Sequence, residues 1–261
     1  MDILLTNDDG IDATGLRALY DSLSELAEVT AVAPAEDQSA VGRQMSSTVT
    51  LEKHELGYSV TGTPTDCVVA GVGALSLDPD LVVAGCNRGA NLGHYVLGRS
   101  GTVSAAVEAA FFGIPAMAVS LYFPGTEGHY QSFDPGIEEY GEAARAAKYL
   151  VNHAFGAGVF ERADYLNVNA PLPPEEGHAP MEITRPSHVY DIDAERTEDG
   201  VRIVDHIWER MATGDIADPE GTDRYAVVDG TVSVSPLTAP HTTERHEALD
   251  ALAQTYPDIA D

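Results

Sequence analysis

Lysine is nearly absent: among 14 basic residues in a chain of 261, only Lys53 and Lys148 are lysines, against 42 acidic residues and a formal net charge of −28. So anionic a surface repels nucleic acid and anionic membranes, which excludes both as expected partners. It fits a protein working in concentrated salt, where the Debye length falls to about 3 Å at 1 M and self-repulsion is screened. That speaks of habitat rather than of reaction. Cysteine is also scarce: Cys67 and Cys86 each lie beside an apolar run, which suits buried reduced thiols better than a disulfide staple. No apolar stretch is long enough for a membrane span, since the longest, Ala109 to Phe123, is broken by Gly113 and Pro115. Nor is there a basic head followed by a long apolar run at the N-terminus, so no signal peptide is visible and the cytoplasm is the expected location. The Gly-x-Gly-x-x-Gly turn of dinucleotide sites is missing too, and the paired carboxylates standing in its place would repel a pyrophosphate.

What stands there is Ile3-Leu4-Leu5-Thr6-Asn7-Asp8-Asp9-Gly10, an apolar run that stops abruptly at two acids. It reads as a buried parallel strand whose turn carries two carboxylates outside the strand's C-terminal end, where α/β folds bind ligands. Leu16, Leu19, Leu23 and Leu26 then recur at helical spacing, and Glu28 to Pro34 gives a second strand, completing a βαβ unit. Thr48 to Leu51 and Tyr58 to Thr61 are expected as paired strands about a turn at Gly57, inserted before a helix capped by Thr63 with Pro64 in its first turn. Strands are expected at Asp80 to Gly85, Ile114 to Leu121 and Tyr165 to Asn169, the last of the core, with helices from Ser100 and over Ile137 to Phe155. Beyond Pro174 the chain turns more polar, with strands expected within Glu182 to Arg210 and over Tyr225 to Val234, and a helix over Thr242 to Tyr256. The pattern predicts an α/β fold with a mostly parallel, Rossmann-like sheet over 1–178 and a smaller β-rich extension over 179–261 that ends in a helix.

Three polar loops fall at one edge of that sheet. Asp8, Asp9, Ser39 and Asn87 supply only hard oxygen ligands, which points to magnesium, calcium or manganese rather than zinc or copper. The small residues Ser100-Gly101-Thr102 open a helix whose N–H groups suit an anion. Each feature also has a plain structural reading: Asn-Asp-Asp-Gly is good turn chemistry, and Ser100 is a good helix cap. A metal beside an anion pocket implies phosphate ester hydrolysis.

The chain resembles the survival protein E (SurE) type 5′-nucleotidases. The resemblance rests on Ile3 to Gly10, Val32-Ala33-Pro34 with Gln38-Ser39-Ala40, and Gly62-Thr63-Pro64-Thr65-Asp66. It continues through Gly85-Cys86-Asn87-Arg88-Gly89-Ala90-Asn91-Leu92-Gly93, Ser100-Gly101-Thr102-Val103, Leu166-Asn167-Val168-Asn169 and Ser233 to Leu237. It implies a phosphatase acting on nucleoside 5′-monophosphates with one divalent cation per subunit, magnesium or manganese, in a homodimer or homotetramer. By position, the implied metal ligands are Asp8, Asp9, Ser39 and Asn87, and the implied phosphate site is Asn91 with Ser100, Gly101 and Thr102. Between Gly93 and Ser100 the chain departs from the family, carrying His94-Tyr95-Val96-Leu97-Gly98-Arg99, one residue longer than usual. A non-catalytic, metal-dependent nucleotide binder is the alternative, because the same pocket could hold a nucleotide without turnover.

Overall fold

In the computed structural model, which describes residues 1–125, 132–243 and 247–255, the opening octet supplies an interior strand of the sheet and the turn that follows it. Strand β1 (Asp2–Thr6) pairs in parallel with β2 (Glu28–Pro34) on one side and β5 (Leu81–Arg88) on the other. Alternation along β1 decides how the layers form. Ile3 and Leu5 face one helical layer with α1 (Thr14–Leu23) and α5 (Gly141–His153), while Leu4 faces the other with α2 (Pro64–Val69) and α4 (Gly101–Phe111). Between α2 and α4 lies the short α3 (His94–Leu97). Burying both faces of the strand accounts for the unbroken apolar run Ile3-Leu4-Leu5 that opens the octet.

The sheet continues through β6 (Ala116–Tyr122) and β7 (Tyr165–Pro171), both parallel to β5. From β1 the chain moves outward to β2 on one flank and later returns to β5 on the other. The strand order therefore reverses between β1 and β5, the place where sheets of this kind form a crevice at their carboxyl ends. Asp8 and Asp9 follow β1, and Asn87 is the last residue but one of β5, so the topology brings all three to that place.

Several expectations are corrected. The hairpin strands are β3 (Leu51–His54) and β4 (Gly57–Val60), turning at Glu55 and Leu56 instead of Gly57, and β4 lies parallel to β2 as an extension of the main sheet. Burial of Leu56 sets that register. The helix expected over 137–155 begins as a 3₁₀ turn at Ile137–Tyr140. Tyr165 to Asn169 is not the last core strand: β8 (Met181–Ile183) and β11 (Val232–Leu237) also join, giving nine strands, with β11 antiparallel to β7. Among the described residues only β9 (Ile192–Arg196) and β10 (Val201–Asp205) form a separate antiparallel pair. Part of the stretch expected as strands is helical, as α6 (Ile207–Thr213) and α7 (Asp223–Val228). Tyr225, Val227 and Val228 favour strands, but burying Arg224, Ala226 and Val227 on one helical side outweighs that propensity. The terminal helix α8 covers Glu247–Thr255, and Tyr256 lies outside the described residues. Cys67 and Cys86 are buried and free. No helix of the described residues is long and apolar enough to cross a membrane.

Candidate active site

The turn after β1 is closed by its own asparagine. The Asn7 side chain donates to Gly10 O at 2.7 Å and accepts from Gly10 N at 3.2 Å, which leaves the two carboxylates to project from the bend. Asp8 is buried against the start of α4: Thr102 donates to it from its backbone N–H (3.2 Å) and its hydroxyl (2.5 Å). The helix comes this close only because residue 101 is glycine, where a Cβ would stand 2.9 Å from both the Asp8 Cβ and its Oδ2. Asp9 accepts the backbone N–H of Arg88 at 2.8 Å, which joins the ends of β1 and β5. The loop after β2 is tied in from the other side, Gln38 N–H donating to the Asp8 carbonyl at 2.7 Å.

Burial dominates the electrostatics. It pushes the Asp8 carboxyl above the usual range, with the nearby Asp37 charge adding to the rise and the Thr102 donors opposing it. Asp9 is pushed up to about 7, first by burial and then by the charge of Asp8, against the pull of Arg88. Two neighbouring groups that resist ionisation call for a cation. The donor set suits a hard one: two carboxylates, and the Asn87 side chain, whose amide N–H donates to the Gly89 carbonyl so that its oxygen is left for a ligand. Among the described residues no group of three or more His, Cys, Asp or Glu is gathered to hold a metal, so this set would depend on neutral oxygens to complete it.

The remaining predicted residues divide. Ser39 is exposed beside Gln38, its N–H bonded to the Asp37 carboxylate at 2.7 Å. Ser100 caps α4 by accepting from Val103 N–H at 3.0 Å. With Thr102 N–H given to Asp8, Gly101 N–H is the first-turn donor without a partner among the described residues. Asn91 is buried and pinned to the sheet: its N–H meets the Asn169 side chain at 2.8 Å, its carbonyl accepts from Asn167 (2.8 Å) and Asn169 (3.2 Å), and its side chain donates to Ser120 (3.0 Å). His94 is exposed and stacks on His188 with ring centroids 4.1 Å apart, while Arg99 lies 5.2 Å over the Tyr95 ring.

Comparison with known proteins decides the family. The model of "Survival protein SurE" matches residues 3–191. A 5′-nucleotidase SurE from Natronomonas pharaonis is 72% identical over 256 residues, covering 98% of this chain and 100% of that protein. One from Haloarcula marismortui is 68% identical over 97% of this chain and 94% of its own length. The solved SurE protein from Aquifex aeolicus superposes with a TM-score of 0.76 at 31% identity, covering 99% of this chain and 100% of that one. The chain belongs to the SurE family. Its high-identity SurE relatives come from halophilic archaea, in keeping with the acidic surface.

Within this SurE chain, sequence reasoning missed the supports. Asp8 and Thr102 were both legible, but not their mutual contact, which depends on the docking of α4. Asn167 and Asn169 belong to the Leu166-Asn167-Val168-Asn169 motif, and their alternation along β7, with Leu166 and Val168 turned to the opposite core, was the signal that both face the Asn91 loop. Asp223 and Arg224 carried no such signal, lying 130 and 132 residues from the Gly93 and Leu92 backbone they hold.

Proposed function

We propose that this chain is a divalent-metal-dependent phosphomonoesterase that hydrolyses nucleoside 5′-monophosphates to nucleoside and phosphate. The observation that carries the reading is the adjacent pair of carboxylates at the reversal point of the sheet, Asp8 buried against the first turn of α4 and Asp9 half-buried beside it, each resisting ionisation. The curated relatives named 5′-nucleotidase supply the substrate class. Asp8, Asp9, Ser39 and Asn87 would hold the cation, magnesium or manganese, which when bound supplies charge neutralisation for the phosphate and a more acidic water. Thr102 orients Asp8 through two hydrogen bonds. The Gly101 N–H and the Ser100 hydroxyl lie at the positive end of α4, the side from which Ser100 to Thr102 and the Asn91 loop would receive the phosphate. Attack by water requires no phosphoenzyme, so a trapped aspartyl-phosphate would refute this part of the reading. Residues 1–178 serve as the catalytic core and 179–261 as the extension, in a homodimer or homotetramer.

The test is product analysis with adenosine 5′-monophosphate in molar potassium chloride, with and without magnesium or manganese. Metal-dependent release of adenosine and phosphate in equal amounts supports the proposal. Metal-dependent binding of the nucleotide without release would instead make the chain a nucleotide-binding protein.

A further inference from the structure

The loop that follows β5 is gripped from the far end of the chain. Asp223, at the first turn of α7, is fully buried and accepts three backbone N–H groups: Gly93 at 2.7 Å, Ser187 at 2.9 Å and Arg224 at 2.8 Å. Arg224 is fully buried as well. Its guanidinium donates to the Val189 carbonyl at 2.8 Å, reaches the Leu92 carbonyl at 3.5 Å and pairs with Asp218 at 3.4 Å. Gly93 has φ +83°, and a Cβ there would stand 2.2 Å from the Arg224 Nη2, so the loop backbone rests directly on the guanidinium. His94 N–H donates to the Ser187 carbonyl at 2.9 Å, closing the grip on the next residue. Leu92 packs with Ile207, Met211 and Val227.

A buried Arg with two carboxylates is costly to desolvate, and as plain packing it would be replaceable by apolar side chains. What it touches suggests a use. Between Arg88, bonded to Asp9, and Gly93, bonded to Asp223, lie only four residues, one of which is Asn91, itself pinned by Asn167 and Asn169. The Asn87 side chain reaches forward to Gly89 within the same loop. The loop is thus fixed at the carboxylates, at β7 and at the extension, and moving its last anchor would displace Asn87 and the Arg88 N–H.

We infer that Asp223 and Arg224 are positioning residues for catalysis, which fix the Gly89–Gly93 loop so that Asn87 and Arg88 meet Asp9 at the cation site. The inference rests on the reading of that site under the proposed function. It gives the extension a part in the chemistry of its own subunit. Remote groups that orient metal ligands typically alter metal affinity or activity by about 10- to 100-fold when removed.

The experiment compares wild type with Asp223→Asn, which keeps the shape but sets an amide NH₂ against a backbone N–H. Manganese affinity by calorimetry, kcat and KM for adenosine 5′-monophosphate, and thermal midpoint are measured in molar potassium chloride. The expected result is a folded variant that binds manganese about tenfold more weakly and loses about 10- to 100-fold in kcat with KM nearly kept. A folded variant with wild-type manganese affinity and kcat overturns the inference. If the variant does not fold, hydrogen exchange on the wild-type protein decides: manganese is expected to slow exchange at Gly93 and across Asp223–Val228 as well as at Arg88, because coupling between two sites is reciprocal. Slowing confined to Arg88 and its immediate neighbours overturns it. If wild type releases no phosphate, the nucleotidase reading fails, while manganese affinity and exchange still test the clamp.

Discussion

Asp9 takes up a proton more readily than a free carboxylate because burial and the Asp8 charge both oppose its ionisation, placing its pKa at about 7 without a cation. The sign of the consequence is set by linkage. A folded-state value raised above the ordinary 3.8 gives stability that is complete below that value and is lost as pH rises through about 7. His94, lowered by burial and by His188, opposes this trend below its ordinary 6.5, so the informative quantity is the difference from a variant lacking Asp9. The metal-free thermal midpoint of wild type is expected to fall relative to that of Asp9→Asn between about pH 5 and pH 8, and manganese is expected to raise it more at the higher pH. Equal manganese stabilisation at both pH values would contradict the assignment. Thr102→Val removes the hydroxyl that Asp8 accepts from and leaves a buried carboxylate short of a donor. It is expected to cost about 1–3 kcal/mol in denaturant unfolding. A loss below a few tenths of a kcal/mol would show that water replaces the hydroxyl and that the pair is wetter than its burial suggests.

Helix α4 reaches Asp8 because Gly101 leaves room, so Gly101→Ala is expected to push the helix start away and lower turnover far more than stability. A variant with normal kcat would mean the turn can yield without disturbing the carboxylates. At the other end of the chain, Leu249 and Leu252 of α8 are 61% and 65% exposed, an apolar stripe that a second subunit could cover. Removing residues from Thr242 onward is expected to shift the solution mass toward monomer, and an unchanged oligomer would count against that use of the helix. Elements with short-range signals were readable in the sequence. The run ending at Asp8 and Asp9, the spacing of Leu16, Leu19 and Leu23 in α1, and the Thr63 cap before Pro64 all depend on near neighbours, whereas Leu26, expected on the same face, lies beyond the end of α1 and is 42% exposed. The misread elements are those decided by distant partners. β11 is recruited by the edge of β7 and β8 in turn by β11, and α7 forms where Asp223 and Arg224 bury against a loop from the other half of the chain. For the same reason the carboxylate pair was legible as a candidate site, while the contacts that hold it from Thr102, Asn169 and Asp223 were not.

A net charge of −28 makes the whole molecule repel an anionic nucleotide as well as itself. At about 0.01 M salt the Debye length is roughly 30 Å and much of the surface acts on the substrate; at 1 M it is about 3 Å. Raising potassium chloride is therefore expected to increase both folded stability and kcat/KM for adenosine 5′-monophosphate at saturating metal, the opposite of an enzyme that attracts its substrate through a positive funnel. A rate that falls steadily while the protein stays folded would contradict this. The same conditions serve the central claim, that the carboxylate pair at Asp8 and Asp9 binds a divalent cation to hydrolyse a nucleotide. The most direct measurement is the rate of phosphate release from adenosine 5′-monophosphate as manganese is titrated into metal-stripped wild type and Asp9→Asn in molar potassium chloride. The account predicts release that rises saturably from zero in wild type and stays at background in a folded Asp9→Asn; full release from the variant, or from wild type under chelator, would contradict it.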